Sequence, residues 1–360
     1  MFEFLRSWYQ RKFSDPHSVT LLLLLVSAFA LLYFFGALLM PVLVAVVIAY
    51  LLDWPVVKMQ RMGITRTIAS IIVMGLFCSV MVGIVFGFGP VLWQQTSNLL
   101  QESPAMLEKG KYYLLHLPDS YPTLITQEQV RTIVASVESK AVEFGQVLVS
   151  ASLTSLKDVV AWLIYLVLVP LMVFFMLKDK SQLIASVSAI LPNQRRLIQQ
   201  VWSEMNQQIM NYIRGKVLEI LIVGSVSFVV FTVFDLRYAA LLGVLVGLSV
   251  LIPFIGAALV TIPVAAVALF QFGLGSEFWY VLIAYGIIQA LDGNVLVPLL
   301  FSEAVDLNPV FIITAVLFFG GLWGFWGVFF AIPLASLVRA LANAWSSTLE
   351  DSGQSSVAAE

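Results

Sequence analysis

Apolar residues fill eight stretches of this chain: Val19–Phe35, Leu38–Leu52, Ile68–Val91, Val159–Leu177, Val217–Phe234, Ala239–Phe272, Phe278–Leu300 and Pro309–Val338. A helix needs roughly 20 residues to cross the ~30 Å hydrocarbon layer. Three regions, Ser18–Leu52, Tyr238–Phe272 and Pro309–Val338, run well past that length with Gly and Pro inside them, which predicts broken helices or tight helical pairs. Backbone freed by a break inside a bilayer is tolerated only where it is buried in protein or lines a wet cavity. The pattern predicts an all-α polytopic membrane protein of about eight transmembrane segments, and it favours a transporter over an anchored enzyme.

The polar connections set the orientation, because Lys and Arg near span ends collect on the cytoplasmic side. Arg6, Arg11 and Lys12 precede the first run, and Lys58, Arg61 and Arg66 lie in the Asp53–Arg66 connection. Both places are expected inside, so Val19–Leu52 is expected to cross twice, with Gly36 and Pro41 supplying the bend. The first run also outlasts a signal-peptide core of roughly 7–15 residues, and it reads as an uncleaved span. The segment Gln94–Asp158 carries more acids than bases and is expected outside. Lys178–Lys216 is expected inside, since Lys178, Lys180, Arg195, Arg196, Arg214 and Lys216 face only Asp179 and Glu204.

This yields spans one to three in 1–93, an outer amphipathic region in 94–158, span four in 159–177 and an inner helical region in 178–216. Four broken spans follow in 217–338, then a cytoplasmic tail in 339–360 of small and acidic residues without apolar period, expected to be disordered. In the outer region Thr126 and Gln129 form a capping box, and Val130, Ile133, Val134, Val137, Ala141, Phe144 and Leu148 recur at helical spacing, predicting a helix over 127–155. Ile198, Val201, Trp202, Met205, Ile209 and Ile213 form a second stripe over 193–213. Either stripe packs on neighbouring helices or offers a docking surface.

Composition agrees: 60% hydrophobic and 11% charged residues leave a surface suited to lipid. A net charge of −2 gives no footprint for nucleic acid. The single cysteine, Cys78, allows no intrachain disulfide and reads as a small buried hydrophobe. Two histidines, His17 and His116, cannot form a His metal cluster, and neither a metal nor a cofactor is expected. The chain has no G-x-x-x-x-G-K-S/T, since Gly215-Lys216 runs into Val217, so no phosphate-cradling loop for ATP is encoded. No G-x-S-x-G elbow or H-E-x-x-H helix supports an enzyme.

Candidate chemistry rests on polarity inside the apolar runs, where a central charge costs about 2.5–3.5 kcal/mol on insertion scales. Gln289 and Asp292 share one helical face with Gly286 and Gly293, fit for a close helix contact or a water-lined path. Asn294 joins them only if the helix yields near Gly293 or toward Pro298. Leu251–Gly256 (LIPFIG) interrupts the sixth run, as a proline kink or as a site built from half-helices around Pro253 and Gly256. Asp235 and Arg237 are read as a surface ion pair, and Glu219 as snorkelling or pairing locally with Arg214 or Lys216. Gly320, Gly324 and Gly327, followed by Pro333, mark a narrow face for helix or subunit packing.

Five ordered motifs then carry a resemblance: Pro170–Asp179 (PLMVFFMLKD), Asn211–Lys216 (NYIRGK), Leu251–Gly256 (LIPFIG), Gln289–Pro298 (QALDGNVLVP) and Gly324–Leu334 (GFWGVFFAIPL). Together they resemble the autoinducer-2 exporter (AI-2E) family of bacterial inner-membrane proteins, nearly end to end. The resemblance implies an eight-span fold with a large outer loop after span three, and homo-oligomers, of which the pentamer is the expected form. It also implies a His before Pro309, where this chain has Asn308, and an acid two before the Asn, retained as Asp292. The family does not fix the cargo.

The expected function is a permease or exporter, not ATP-driven, for a small polar solute or ion. Gln289, Asp292, Asn294, Pro253 and Gly256 are its pathway candidates, and Gly36, Pro41, Pro298, Gly324, Gly327 and Pro333 its helix-break and packing positions. The alternatives are a sodium/proton antiporter and a non-transporting scaffold acting through the amphipathic helices.

Overall fold

The computed structural model describes residues 16–120, 126–132, 134–136, 139, 155–190, 196–253, 255–301 and 308–357. All regular structure among them is helical: α1 Pro16–Arg61, α2 Arg66–Ser120, α3 Ser155–Lys178, α4 Lys180–Ile190, α5 Arg196–Val233, α6 Ala239–Ser249, α7 Ile255–Phe272, α8 Ser276–Leu291, a π-helical segment Asp292–Leu296, α9 Val297–Phe301 and α10 Pro309–Val357. Six helices are long and apolar enough to cross a membrane, and Ile164–Lys178 and Ala239–Ser249 add two shorter apolar stretches.

The expected bend at Gly36 and Pro41 does not form. Both residues lie inside α1, which runs unbroken for 46 residues, so Val19–Phe35 and Leu38–Leu52 are one helix rather than two antiparallel crossings. Proline deletes one main-chain hydrogen bond, and a helix with apolar neighbours on both sides of the gap survives that loss. The third run likewise continues past Val91 as α2 through Ser120, and the inner stripe and the fifth run merge into α5. The capping box is present: Gln129 N–H donates to Thr126 Oγ1 at 3.3 Å and Thr126 N–H to Gln129 Oε1 at 3.1 Å. Val130 and Val134 behind it are buried, while most of 140–155 lies outside the described residues.

The chain divides into two compact units: Met1–Val73, Val169–Gly215 and Leu299–Glu360 form the first, and Met74–Leu168 with Lys216–Pro298 the second. In the first unit, Asp53 is buried and takes Arg66 at 3.0 Å and Lys180 at 2.8 Å, while Arg66 Nε donates to the Leu177 carbonyl at 2.6 Å. A carboxylate with two cations and a capped helix end is the arrangement that lets a buried charge persist.

Also in the first unit, α10 is a hairpin. Gly324 has φ 59° and ψ −136°, a conformation open to glycine, and the two arms fold back on each other there. A Cβ on Gly327 would collide with the Phe319 carbonyl oxygen, and one on Gly320 would meet Val328 at 2.8 Å. Ala315, Val316 and Phe319 bury against Ala331 and Ala335. The glycines expected to form a face for helix or subunit packing thus let the two arms of one hairpin touch. Pro333 is buried within the returning arm, which continues through it. Tyr212 Oη donates to the Phe329 carbonyl on that arm at 3.0 Å.

The second unit holds a counterpart built from α6 and α7. Leu242, Val246 and Val250 of the outgoing arm bury against Val264, Val267 and Ala268 of the returning one. Gln271 near the end of α7 accepts from Arg237 N–H and donates to the Asp235 carbonyl, both at 2.7 Å, so the chain comes back to the level from which it left. Eleven residues give α6 a length of about 16 Å, roughly half the hydrocarbon thickness. Against α5, Gly243 and Gly247 approach Phe228 and Gly224 so closely that a Cβ on either would lie within 3 Å of a neighbour, a small-residue contact of the kind that joins membrane helices.

Candidate functional site: the turn of the second-unit hairpin

Residues 250–254 separate α6 from α7. Main-chain bonds shape the turn: Leu251 N–H to Leu248 O at 3.2 Å, Ile252 N–H to Ser249 O at 3.1 Å, Ile255 N–H to Pro253 O at 2.7 Å and Gly256 N–H to Ile252 O at 2.9 Å. Gly256 in the first turn of α7 lies against the Ser249 carbonyl so closely that any Cβ would overlap it. Pro253 thus terminates one arm and Gly256 permits the other to return, the half-helix arrangement rather than a simple kink.

The carbonyl of Val250, at the end of α6, is capped from another helix. Lys216 of α5 donates to it from Nζ at 2.8 Å, and the same Nζ lies 2.8 Å from Glu219 Oε2. Lys216 is 5% exposed and Glu219 2%. Local pairing of Glu219 with Lys216 therefore holds, while snorkelling does not: neither head group reaches the surface. A helix C-terminus attracts a cation, which is the physical reason an ammonium settles here.

Asp292 completes the cluster. It caps α8 and opens the π-helical segment, in which Val297 N–H bonds five residues back to the Asp292 carbonyl. Pro298 accounts for the widening, because it has no N–H for the Asn294 carbonyl and its ring crowds that oxygen. Asp292 lies within electrostatic range of both Lys216 and Glu219, and its Oδ1 is buried with no hydrogen-bond partner among the described residues. Gln289, half-buried one turn earlier, lies within hydrogen-bonding reach of Tyr285 on the same helix. Tyr285 ties this helix to the hairpin, donating from Oη to the Ala257 carbonyl at 2.9 Å.

The structure thus brings Asp292 into range of Lys216, whose ammonium holds the Val250 carbonyl at the start of the turn, and leaves Asn294 out. The helix does yield at Gly293, yet Asn294 is exposed and donates to the Ala290 carbonyl of its own helix at 2.8 Å. Asp235 and Arg237 are not paired with each other either; Arg237 takes Glu102 of α2 at 2.7 Å. Sequence reasoning gave Lys216 no role at the break. Its signal was a cation directly before the fifth apolar run, three residues from a glutamate just inside that run.

A helical membrane chain that buries an ammonium and carboxylates against an interrupted helix has the construction of a transport protein. The chain belongs to the AI-2E family of transporters: the family model matches residues 22–347. It is 52% identical over 345 residues to the protein named "Putative permease PerM" in Escherichia coli strain K12, covering 96% of this chain and 98% of that one. It is 26% identical over 314 residues to "Putative transport protein YueF" of Bacillus subtilis strain 168, covering 85% and 84%. It is 24% identical over 306 residues to "AI-2 transport protein TqsA" of Escherichia coli strain K12, covering 85% and 86%.

Proposed function

We propose that this protein is a permease or exporter for a small polar solute or ion, working without ATP as a homo-oligomer in a bacterial inner membrane with both termini cytoplasmic. The observation that carries the reading is the hairpin turn itself: a broken helix whose freed carbonyl is held by buried Lys216, within electrostatic range of an Asp292 whose Oδ1 has no hydrogen-bond partner among the described residues. An unsatisfied acceptor inside an apolar run costs free energy unless something comes to it, and a passing polar cargo would do so. The name of TqsA assigns AI-2 transport to that relative, which makes a polar solute of that class the first cargo to test.

Purified protein in liposomes, with Asp292→Asn beside the native chain, tests the reading. Assembly is retained and flux falls by at least about tenfold, the effect of ~1.4 kcal/mol on a barrier; equal flux refutes the assignment. A second reading, exchange of a cation for protons, is favoured by charge count, since one ammonium stands among two carboxylates. Labelled sodium that follows an imposed proton gradient, where AI-2 does not, would select it.

A further inference from the structure

Gln95, Leu99, Glu102, Met106, Lys109 and Tyr113 follow one another along α2 at intervals of four and three, the spacing that lines one face of a helix. Every one of them meets the α6–α7 hairpin or the core beneath it. Gln95 Oε1 accepts from Leu241 N–H at 2.8 Å, and Glu102 Oε2 takes Arg237 Nη1 at 2.7 Å. Lys109 Nζ donates to the Phe270 carbonyl at 2.6 Å and sits 5.2 Å from the centre of the Phe270 ring. A Cβ on Gly273 would lie 2.7 Å from the Tyr113 hydroxyl. Leu99 and Met106 pack between these on the buried cluster that includes Leu242, Val246 and Val264.

These contacts do for the hairpin what its own sequence does not. Tyr238, at the N-cap of α6, makes no side-chain capping hydrogen bond, and one of the free N–H groups of the first turn goes to Gln95. The Phe270 carbonyl, among the last of α7, goes to Lys109. Helix ends need such partners, and one face of α2 supplies them to both arms. Beside this seam lies an open groove of about 510 Å³, lined by Phe88, Gln95, Phe228, Thr232 and Tyr238 among others, so on that side the hairpin has room to shift.

We propose that this face of α2 is a clasp that sets where the hairpin stands, and that Glu102 and Lys109 are positioning residues for transport. They act through the rigid arms on the turn at 250–256; their link to transport rests on the function proposed above, whereas their hold on the hairpin does not. The Arg237–Glu102 pair is 50% and 34% exposed, and exposed pairs add little to stability. Loss of the pair is therefore expected to leave the protein folded, so that a change at the turn is read apart from unfolding.

The test uses the full chain in liposomes with Cys78→Ala and Ile252→Cys, reading the thiol-labelling rate at 252. Glu102→Arg and Arg237→Glu each change that rate by at least about fivefold, with Tm held within about 2 °C, and the double swap restores it to within about twofold. Rates unchanged within twofold in both single variants, or changed and not restored by the swap, overturn the clasp. Should a reversal fail to assemble, Glu102→Gln and Lys109→Met are read in the same assay: a fivefold rise supports the clasp and rates within twofold of the parent overturn it. If Asp292→Asn leaves flux intact while labelling behaves as expected, the function reading falls and the clasp stands.

Discussion

Lys216 Nζ lies 2.8 Å from the carbonyl oxygen of Val250, a residue 34 positions further along the chain. One ammonium thereby terminates a broken helix and neutralises Glu219 in the same buried space. A helix of 11 residues ending inside an apolar core leaves its last carbonyls without intrahelical partners. The cation that meets one of them makes the break stable where a hydrocarbon neighbour would not.

Lys216→Met leaves Glu219 buried without its partner, and removing one side of a buried pair costs about 3–5 kcal/mol. The variant is expected to lose that stability, seen as a lower melting temperature in detergent. Lys216→Met with Glu219→Leu recovers most of it, because the uncompensated charge is gone, yet transport stays low since the Val250 carbonyl has lost its donor. Full flux in the double variant would show that the pair is only structural.

Gly256→Ala forces a methyl group into the Ser249 carbonyl. The arms must separate, and the expected loss is about 1–3 kcal/mol with a more accessible turn. Gly286→Ala is the control, since nothing lies within 4 Å of a Cβ there; in a helix it is neutral or stabilising by about 0.5–1 kcal/mol. Equal melting temperatures for the two variants would mean that the arms are not in contact.

Gly324 sits at φ 59°, ψ −136°, outside the left-handed well that asparagine tolerates. Gly324→Ala and Gly324→Asn are therefore both expected to cost about 1–3 kcal/mol, with no advantage for asparagine. Thermal melting of the pair checks this; an asparagine variant as stable as the native chain would place the residue in the ordinary left-handed region instead.

Asp53 anchors Arg66 and Lys180 in the first unit. Asp53→Ala removes the shared acceptor and leaves two cations facing each other; because Arg66 and Lys180 are partly open to solvent, the expected loss is about 1–3 kcal/mol. Asp53→Asn keeps hydrogen bonding and loses less. The ordering of the two variants in a denaturation series is the measurement; identical midpoints would reduce the network to surface decoration.

Much of this architecture was legible in the chain. The eight apolar runs fixed an all-helical membrane fold, and the proline and glycine in LIPFIG marked a real interruption, because proline's missing donor acts on its own helix turn. Thr126 and Gln129 could be paired by reading alone, being three residues apart. Gly36 and Pro41 misled for the opposite reason: a local preference for a bend is weak, and the unbroken α1 overrode it. The four-and-three spacing from Gln95 to Tyr113 was also present to be read, yet its polar members hid it among what looked like loop residues.

What the sequence determined, then, is what short-range chemistry controls: where helices are apolar, where a donor is missing, where a cap can close. Chain reversal decided the rest. Only once α6 folds back along α5 does Val250 present its carbonyl to Lys216, and only with α8 packed in place does Asp292 come within electrostatic range of both ends of that ion pair. Hydrogen bonds and charges act over a few ångströms, and residues this far apart along the chain come within that range through tertiary packing alone.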